Sequence, residues 1–163
     1  MKLIFLDVDG VLNTVFTRES LGHTRFVEDK FVLRLKEICD KTNAKVVLSS
    51  SWRKGWYDIE NGKEETKDAL DFKALKEKLL EFQIELFDKT PCINDMSRGL
   101  EIQQWFLDHK DLKVENFVVL DDMEIVRPYN RYLLQTSPVE GLREKHIKKV
   151  IKMLGGMTNE SEL

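Results

Sequence analysis

The sequence predicts an α/β fold, specifically a three-layer α/β/α sandwich with a mostly parallel central sheet. Short apolar runs typical of buried strands alternate along the chain with segments whose apolar residues recur at helical spacing. Polar residues directly follow several strand candidates, as expected where parallel strands end at one edge of a sheet. The length of 163 residues favours a single domain.

Five segments are strand candidates because they are short, apolar and bounded by polar or turn-forming residues. The first contains the uninterrupted apolar run from Leu3 to Leu6, which predicts a buried strand. The candidates are residues 2–7, 45–49, 84–87, 116–120 and 131–136.

Four segments show the periodicity of amphipathic helices. They are residues 28–43, residues 72–82, the segment RGLEIQQWFLDH that begins at Arg98, and residues 142–154. Gly155 and Gly156 are expected to end the last helix. Residues 13–26 indicate a loop or flap, and residues 52–68 indicate an irregular polar excursion.

Composition limits the class of protein. Hydrophobic residues make up 42% and charged residues 34% of the chain, as in globular proteins. No apolar run approaches the roughly 18 residues that span a bilayer, and the N-terminus lacks the pattern of a signal peptide, so we expect a cytoplasmic protein. We expect one domain over residues 1–156 and a disordered tail over 157–163.

Four carboxylates follow two strand candidates at the predicted edge of the sheet. Asp7 and Asp9 end the first strand, and Asp121 and Asp122 end the fourth. Carboxylates gathered in one crevice would repel each other strongly without a cation. Oxygen-only ligands suit a hard ion, Mg²⁺ before Ca²⁺ or Mn²⁺, and the histidines are scattered. The sequence therefore predicts a Mg²⁺ site formed by these four residues.

Hydroxyl and guanidinium groups near the same edge predict a phosphate site. Ser49 or Ser50 at the end of the second strand can donate to a phosphate oxygen, although either could instead cap a helix. Arg98 at a helix start opposes the helix dipole, which indicates an anion nearby. Arg53 could clamp a phosphate or be an ordinary surface cation. Trp52 could stack on a nucleobase or pack a loop onto the domain.

The motifs DVDGV (7–11), VVLSSS (46–51), Arg98 and LDD (120–122) resemble, in order and spacing, the four motifs of the haloacid-dehalogenase-like (HAD) superfamily. The longer phrases FLDVDGVLN, VLSSSWR, RGLEIQQWF and FVVLDD resemble the HAD domains of Swiss-army-knife RNA-repair proteins. The resemblance covers roughly residues 2–154. It implies a Rossmann-like fold and a Mg²⁺-dependent phosphohydrolase.

The resemblance implies a role for each matching acid. Asp7 would attack phosphorus and form an aspartyl-phosphate. Asp9 would protonate the leaving oxygen and then activate water, while its backbone carbonyl contacts the metal. Asp121 would bind Mg²⁺, and Asp122 would support the ion directly or through water.

The resemblance also implies the residues that bind phosphate. Ser49 would hydrogen-bond the phosphoryl group, and Arg98 would neutralise the nucleophile and the phosphate. Because three serines follow the second strand, the choice between Ser49 and Ser50 stays open. Met123 separates the acidic pair from Glu124, which weakens the case for Glu124 as a ligand.

Members of this superfamily select substrates with inserted cap domains, and no large cap domain fits in this chain. An open site suits a large substrate end such as a nucleic-acid terminus or a phosphoprotein, or a partner subunit that closes it. Residues 13–26 could still fold over a small phosphate ester or nucleotide. The predicted function is phosphatase activity on nucleotide or nucleic-acid ends. The alternative is a non-catalytic phosphate-binding or interaction module on the same fold.

Overall fold

Five strands form one sheet in which every neighbouring pair is parallel. The computed structural model describes residues 1–20, 26–93, 97–125 and 127–155. The strands are β1 (Lys2–Leu6), β2 (Lys45–Leu48), β3 (Leu86–Lys89), β4 (Asn116–Asp121) and β5 (Leu133–Gln135). Their order across the sheet is β3-β2-β1-β4-β5, which confirms the predicted parallel α/β fold.

Six α-helices connect or follow the strands in the described ranges. They are α1 (Val15–Ser20), α2 (Asp29–Thr42), α3 (Arg53–Glu60), α4 (Lys67–Glu81), α5 (Arg98–Asp108) and α6 (Glu144–Met153), with a short 3₁₀ helix (Tyr129–Tyr132) before β5. Thr66 caps α4 by accepting a hydrogen bond from the Ala69 N–H at 3.0 Å. Across these ranges, no helix has both the length and the apolar content that crossing a bilayer requires.

Helices cover both faces of the sheet because alternate strand residues point to opposite sides. On one face, Ile4, Leu6, Val46, Leu48, Val118 and Leu120 pack with apolar residues of α2, α4 and α6. On the other face, Leu3, Phe5, Val47 and Val119 pack with Ile102 and Trp105 of α5. The predicted three-layer architecture is therefore confirmed, and β1 is buried at its centre.

Two helices lie where the sequence indicated irregular structure. The prediction of an irregular excursion over 52–68 is wrong for α3, which packs against α4. Gly55 interrupts the helical pattern, yet a Cβ there would lie 1.9 Å from the Asp68 carbonyl oxygen, so glycine allows this close packing. The loop prediction for 13–26 is wrong over α1, and its residues 21–25 lie outside the described residues.

The edge strands differ from their predicted limits. β3 begins two residues later than predicted, and its register with β2 shifts between Val46 and Val47. β5 is a three-residue strand within the predicted 131–136. The predicted domain end at residue 156 and the tail 157–163 lie outside the described residues.

Candidate active site

The strand ends that carry the acidic motifs are adjacent in the sheet. β1 and β4 pair in register, with Leu6 opposite Leu120. The Asp7 N–H continues this pairing by donating to the Leu120 carbonyl at 2.9 Å. The strand order changes direction between β1 and β4, and ligands in open α/β sheets bind outside the carboxyl ends of strands at such a point.

Three of the four predicted acids form a cluster at this edge. One carboxylate oxygen from each of Asp7, Asp121 and Asp122 lies within 4.8 Å of the other two. Asp7 is 6% exposed and Asp121 is 1% exposed. This oxygen-only donor set fits Mg²⁺, which binds through a few carboxylates and retains water ligands. The carboxylate of the fourth acid, Asp9, is not in this cluster.

Gly10 gives the cluster its compact shape. Its φ of +81° lies in the left-handed region, and a Cβ there would sit 2.3 Å from the Asp122 carboxylate oxygen Oδ2. The loop after β1 therefore approaches Asp122 more closely than any other residue type would allow.

Arg98 joins the cluster from the first turn of α5. Its Nη1 atom lies 2.9 Å from Asp7 Oδ1 and 2.9 Å from Asp121 Oδ2. Burial disfavours the charged guanidinium, but the two carboxylates raise the pKa of Arg98 above its ordinary value. One cation thus bridges the two most buried carboxylates of the site.

Burial dominates the electrostatics of the two carboxylates that Arg98 bridges. Desolvation raises the pKa of Asp7 from 3.8 to about 7, with Arg98 opposing the shift and Asp121 adding to it. Desolvation likewise raises the pKa of Asp121, again against the influence of Arg98. Arg98 alone therefore does not compensate the buried negative charge, and a further cation would stabilise the ionised cluster.

The two serines after β2 differ in their hydroxyl contacts. Both are buried, and the Ser49 N–H donates to the Leu6 carbonyl at 2.8 Å. The Ser50 hydroxyl accepts a hydrogen bond from the Trp52 N–H at 3.3 Å. The Ser49 hydroxyl has no hydrogen-bond partner within the described ranges. Because the Ser50 hydroxyl only accepts in its bond, both serines keep an O–H that can donate to a phosphate, and the choice between them stays open.

Arg53 lies in a buried ion pair. Its Nη2 bonds the Glu101 carboxylate of α5, and its Nη1 donates to the Ser50 carbonyl at 2.7 Å. The Arg53 and Glu101 side chains are 8% and 10% exposed. The contacts of this guanidinium join α3 to α5 and to the turn after β2, and none of them is to the carboxylate cluster.

Asp9 is held by two donors that sequence reasoning did not assign. The Asn13 Nδ2 donates to Asp9 Oδ1 at 2.9 Å, and the Trp52 Nε1 donates to Asp9 Oδ2 at 3.3 Å. Trp52 is 1% exposed, so its ring packs in the core and leaves no face for a nucleobase. The position of Trp52 directly after the serines indicated that it lies near this edge of the sheet, but it did not identify Asp9 as the partner of its indole.

Other residues near this edge have structural contacts. The Thr136 hydroxyl donates to the Gly10 carbonyl at 2.6 Å and so fixes the loop after β1 from the end of β5. Glu124 is exposed and is not a member of the carboxylate cluster.

A cleft of about 820 Å³ lies between α1, the start of α2 and the segment that leads into α6. None of its lining residues belongs to the carboxylate cluster. Its arginines already have partners, since Arg34 donates to the Leu142 carbonyl and Arg143 to Glu140. The carboxylate cluster, and not this cleft, is therefore the candidate active site.

The family comparison agrees with the geometry of the site. The model of the family described as the HAD domain in Swiss Army Knife RNA repair proteins matches residues 3–147, which include all four motifs. Neither curated proteins nor solved structures give a significant match. The family match extends from β1 through the acidic end of β4 and into α6, and so spans the whole sheet and the clustered carboxylates. The chain therefore belongs to the family of HAD domains found in Swiss Army Knife RNA repair proteins.

Proposed function

We propose that this chain is a Mg²⁺-dependent phosphatase that hydrolyses a phosphate monoester through an aspartyl-phosphate at Asp7. The family supports a phosphatase-type function and a phosphorylated substrate. The observation that carries the proposal is the bridge from Arg98 to Asp7 and Asp121 beside Asp122. A buried nucleophile, a cation that can receive phosphate charge and a carboxylate metal site occur together at one strand edge.

The proposed metal ligands are the carboxylates of Asp7, Asp121 and Asp122, with the Asp9 backbone carbonyl added by family resemblance. When bound, Mg²⁺ would neutralise charge on the phosphoryl oxygens and orient the phosphate toward Asp7. The raised pKa values of Asp7 and Asp121 support this assignment, because a cation would stabilise their ionised forms.

The chain's own residues provide the two chemical steps. A carboxylate oxygen of Asp7 bonds to phosphorus while the bond from phosphorus to the leaving oxygen breaks, and Asp9 gives that oxygen its proton. Asp9 then accepts a proton from water, whose oxygen attacks phosphorus and releases phosphate from Asp7. Arg98 and the Ser49 hydroxyl would stabilise the phosphoryl oxygens during both transfers.

Nucleotides or nucleic-acid ends are the proposed substrates. The support is the family itself, whose relatives are described as RNA repair proteins. The net charge of −3 gives no general attraction for nucleic acid, so recognition of a single phosphorylated end fits better than binding along a strand.

Phosphate release from a substrate panel tests the proposal. The panel contains an aryl phosphate, nucleotides, 3′- and 5′-phosphorylated oligonucleotides and a phosphopeptide, each with Mg²⁺ or EDTA. We expect Asp7→Asn to lower turnover by at least about 10³-fold while the circular dichroism spectrum stays unchanged. Asp88→Asn is the matched control, because this partly buried carboxylate bonds Trp105 on α5 instead.

Each result has a distinct meaning. Turnover that requires both Mg²⁺ and Asp7 supports the phosphatase, and the preferred substrate tests the nucleic-acid assignment. Wild-type turnover in Asp7→Asn would contradict the assignment of Asp7 as the nucleophile. Phosphate binding without turnover of any substrate would favour the non-catalytic module.

A further inference from the structure

The carboxylate of Asp9 accepts one side-chain hydrogen bond on each oxygen. Resting on the proposed function, we propose that Asn13 and Trp52 are positioning residues that orient Asp9 for proton transfer to and from the substrate. Both residues lie in the phrases FLDVDGVLN and VLSSSWR, but the family resemblance assigned neither of them a role. Their effect on chemistry would be exerted through Asp9.

Asn13 uses both its amide oxygen and its amide nitrogen in buried hydrogen bonds. It is 0% exposed, and its Oδ1 accepts the Gly10 N–H at 3.0 Å. Its Nδ2 donates to Asp9 Oδ1 at 2.9 Å and to the Phe26 carbonyl at 2.8 Å. Only a carboxamide combines an acceptor and two donors at this length. One side chain thus fixes both the loop after β1 and one oxygen of Asp9.

Trp52 constrains the second oxygen from another part of the fold. Its indole N–H is a donor only, so it requires an acceptor, and that acceptor is Asp9 Oδ2 at 3.3 Å. The ring is 1% exposed and belongs to the core that includes Leu75 of α4. Because close packing holds the ring, the direction of its N–H is set by the core.

Donors that reach the carboxylate from two segments restrict its rotation. General acid catalysis requires the proton donor within hydrogen-bond reach of the leaving oxygen and correctly directed toward it. Loss of one donor would therefore weaken protonation of the leaving group more than it weakens substrate binding. The loss should be larger for a strongly basic leaving group, since a weakly basic one departs with little protonation.

The test compares two Trp→Phe substitutions, each of which removes a buried indole N–H that donates to an aspartate. Trp52→Phe removes the bond to Asp9, whereas Trp105→Phe removes an indole bond of 2.8 Å to Asp88 at a residue that is 0% exposed. The values of kcat/KM are measured with Mg²⁺ for an alkyl phosphate and for p-nitrophenyl phosphate. We expect Trp52→Phe to lower the alkyl value about tenfold and the aryl value about twofold.

We expect both Trp→Phe variants to unfold at a lower temperature than the wild type. For Trp105→Phe, however, both kcat/KM values should stay within about twofold of wild type. Asn13→Asp provides a second variant if Trp52→Phe does not fold. It keeps the size of the side chain and the acceptor for the Gly10 N–H, but it replaces the donor to Asp9 with a carboxylate oxygen that repels the Asp9 carboxylate. The same preferential loss on the alkyl phosphate is expected.

A double-mutant cycle completes the test. If Trp52 acts through Asp9, adding Trp52→Phe to Asp9→Asn should cause no further loss of kcat/KM on the alkyl phosphate, where Trp52→Phe alone is expected to cost about tenfold. Equal losses on both substrates, or full additivity with Asp9→Asn, would overturn the positioning role while leaving the phosphatase intact. Absence of turnover by the wild-type protein on every phosphate ester would overturn both proposals, because a positioning residue presupposes the reaction.

Discussion

At the scale of single residues, the backbone of Gly10 determines how the acidic loops fit together. The Gly10 N–H bonds Asn13 and its carbonyl accepts the Thr136 hydroxyl, so both backbone polar groups are engaged. The side of the residue where a Cβ would lie faces Asp122. A side chain here would displace a carboxylate of the proposed metal site.

Gly10→Ala should therefore reduce both stability and Mg²⁺ binding. Gly62→Ala is a matched control, because Gly62 has a similar φ of +77° but nothing within 4 Å of its Cβ position. We expect the free energy of unfolding to fall by about 1 kcal/mol in the control, from backbone strain alone. The fall should be larger in Gly10→Ala. Mg²⁺ affinity should fall about tenfold in Gly10→Ala only.

Urea unfolding and calorimetric Mg²⁺ titration measure the two effects of the glycine substitutions. Equal losses of stability with unchanged Mg²⁺ affinity would show that contact with Asp122 is unimportant.

At the scale of elements, a buried ion pair connects helices on opposite faces of the sheet. Arg53 begins α3, and Glu101 lies in the first turn of α5, three residues after Arg98. Because α5 also carries Arg98, this pair helps to fix the helix that supplies the cationic side chain of the site. The sequence left Arg53 open between a phosphate clamp and a surface cation, since nothing local indicates that its partner Glu101 lies 48 residues away.

Glu101→Gln should destabilise the protein by about 3 kcal/mol, because it leaves the Arg53 charge buried without a counter-charge. The control is Glu37→Gln, which removes an exposed i,i+4 pair with Lys41 and should cost about 0.3 kcal/mol. Chemical denaturation of both variants measures the difference. Similar small losses in the two variants would contradict a structural role for the buried pair.

The central elements could be predicted from the sequence, but some peripheral ones could not. Apolar runs defined β1, β2 and β4, and the spacing of residues such as Leu35 and Ile38 defined α2. The eight-residue α3 is polar and contains Gly55, which packs closely against the start of α4. Such tertiary packing overrides local propensity and leaves no local signal.

The site shows the same division. Acids and serines at strand ends indicated a shared edge, because parallel strands end together. The contacts of Asp9 with Asn13 and Trp52 depend on side-chain orientation within the packed loop, which no residue spacing reveals.

At the scale of the whole molecule, the carboxylate cluster links stability to pH and to metal. The unfolded chain releases the Asp7 proton near pH 3.8, whereas the folded protein retains it to about pH 7. The folded state therefore binds more protons between these values. The stabilisation from this group is complete below about pH 3.8 and is lost as the pH rises through about 7.

We expect Mg²⁺ to raise the melting temperature more at pH 8 than at pH 5.5. At the lower pH the ion must displace the Asp7 proton, whereas at the higher pH it compensates an ionised carboxylate. Thermal unfolding with Mg²⁺ or EDTA at each pH measures the effect. Asp7→Asn should reduce this pH dependence and leave a contribution from Asp121, whose pKa is also raised by burial. A Mg²⁺ shift that is equal at both pH values in the wild-type protein would contradict the linkage.

The sheet also determines which parts of the chain can change without moving Asp7. The backbones of Asp7 and Ser49 continue the hydrogen-bond ladders of the central strands, through the Leu120 and Leu6 carbonyls. Amino-acid changes in these strands would therefore disturb the position of Asp7 and the core together. The segments after β1, β4 and β5 carry exposed Phe16, Met123 and Val139, which have no such constraint. α1 and the loops after β4 and β5 can therefore vary in sequence with little effect on the backbone geometry around Asp7.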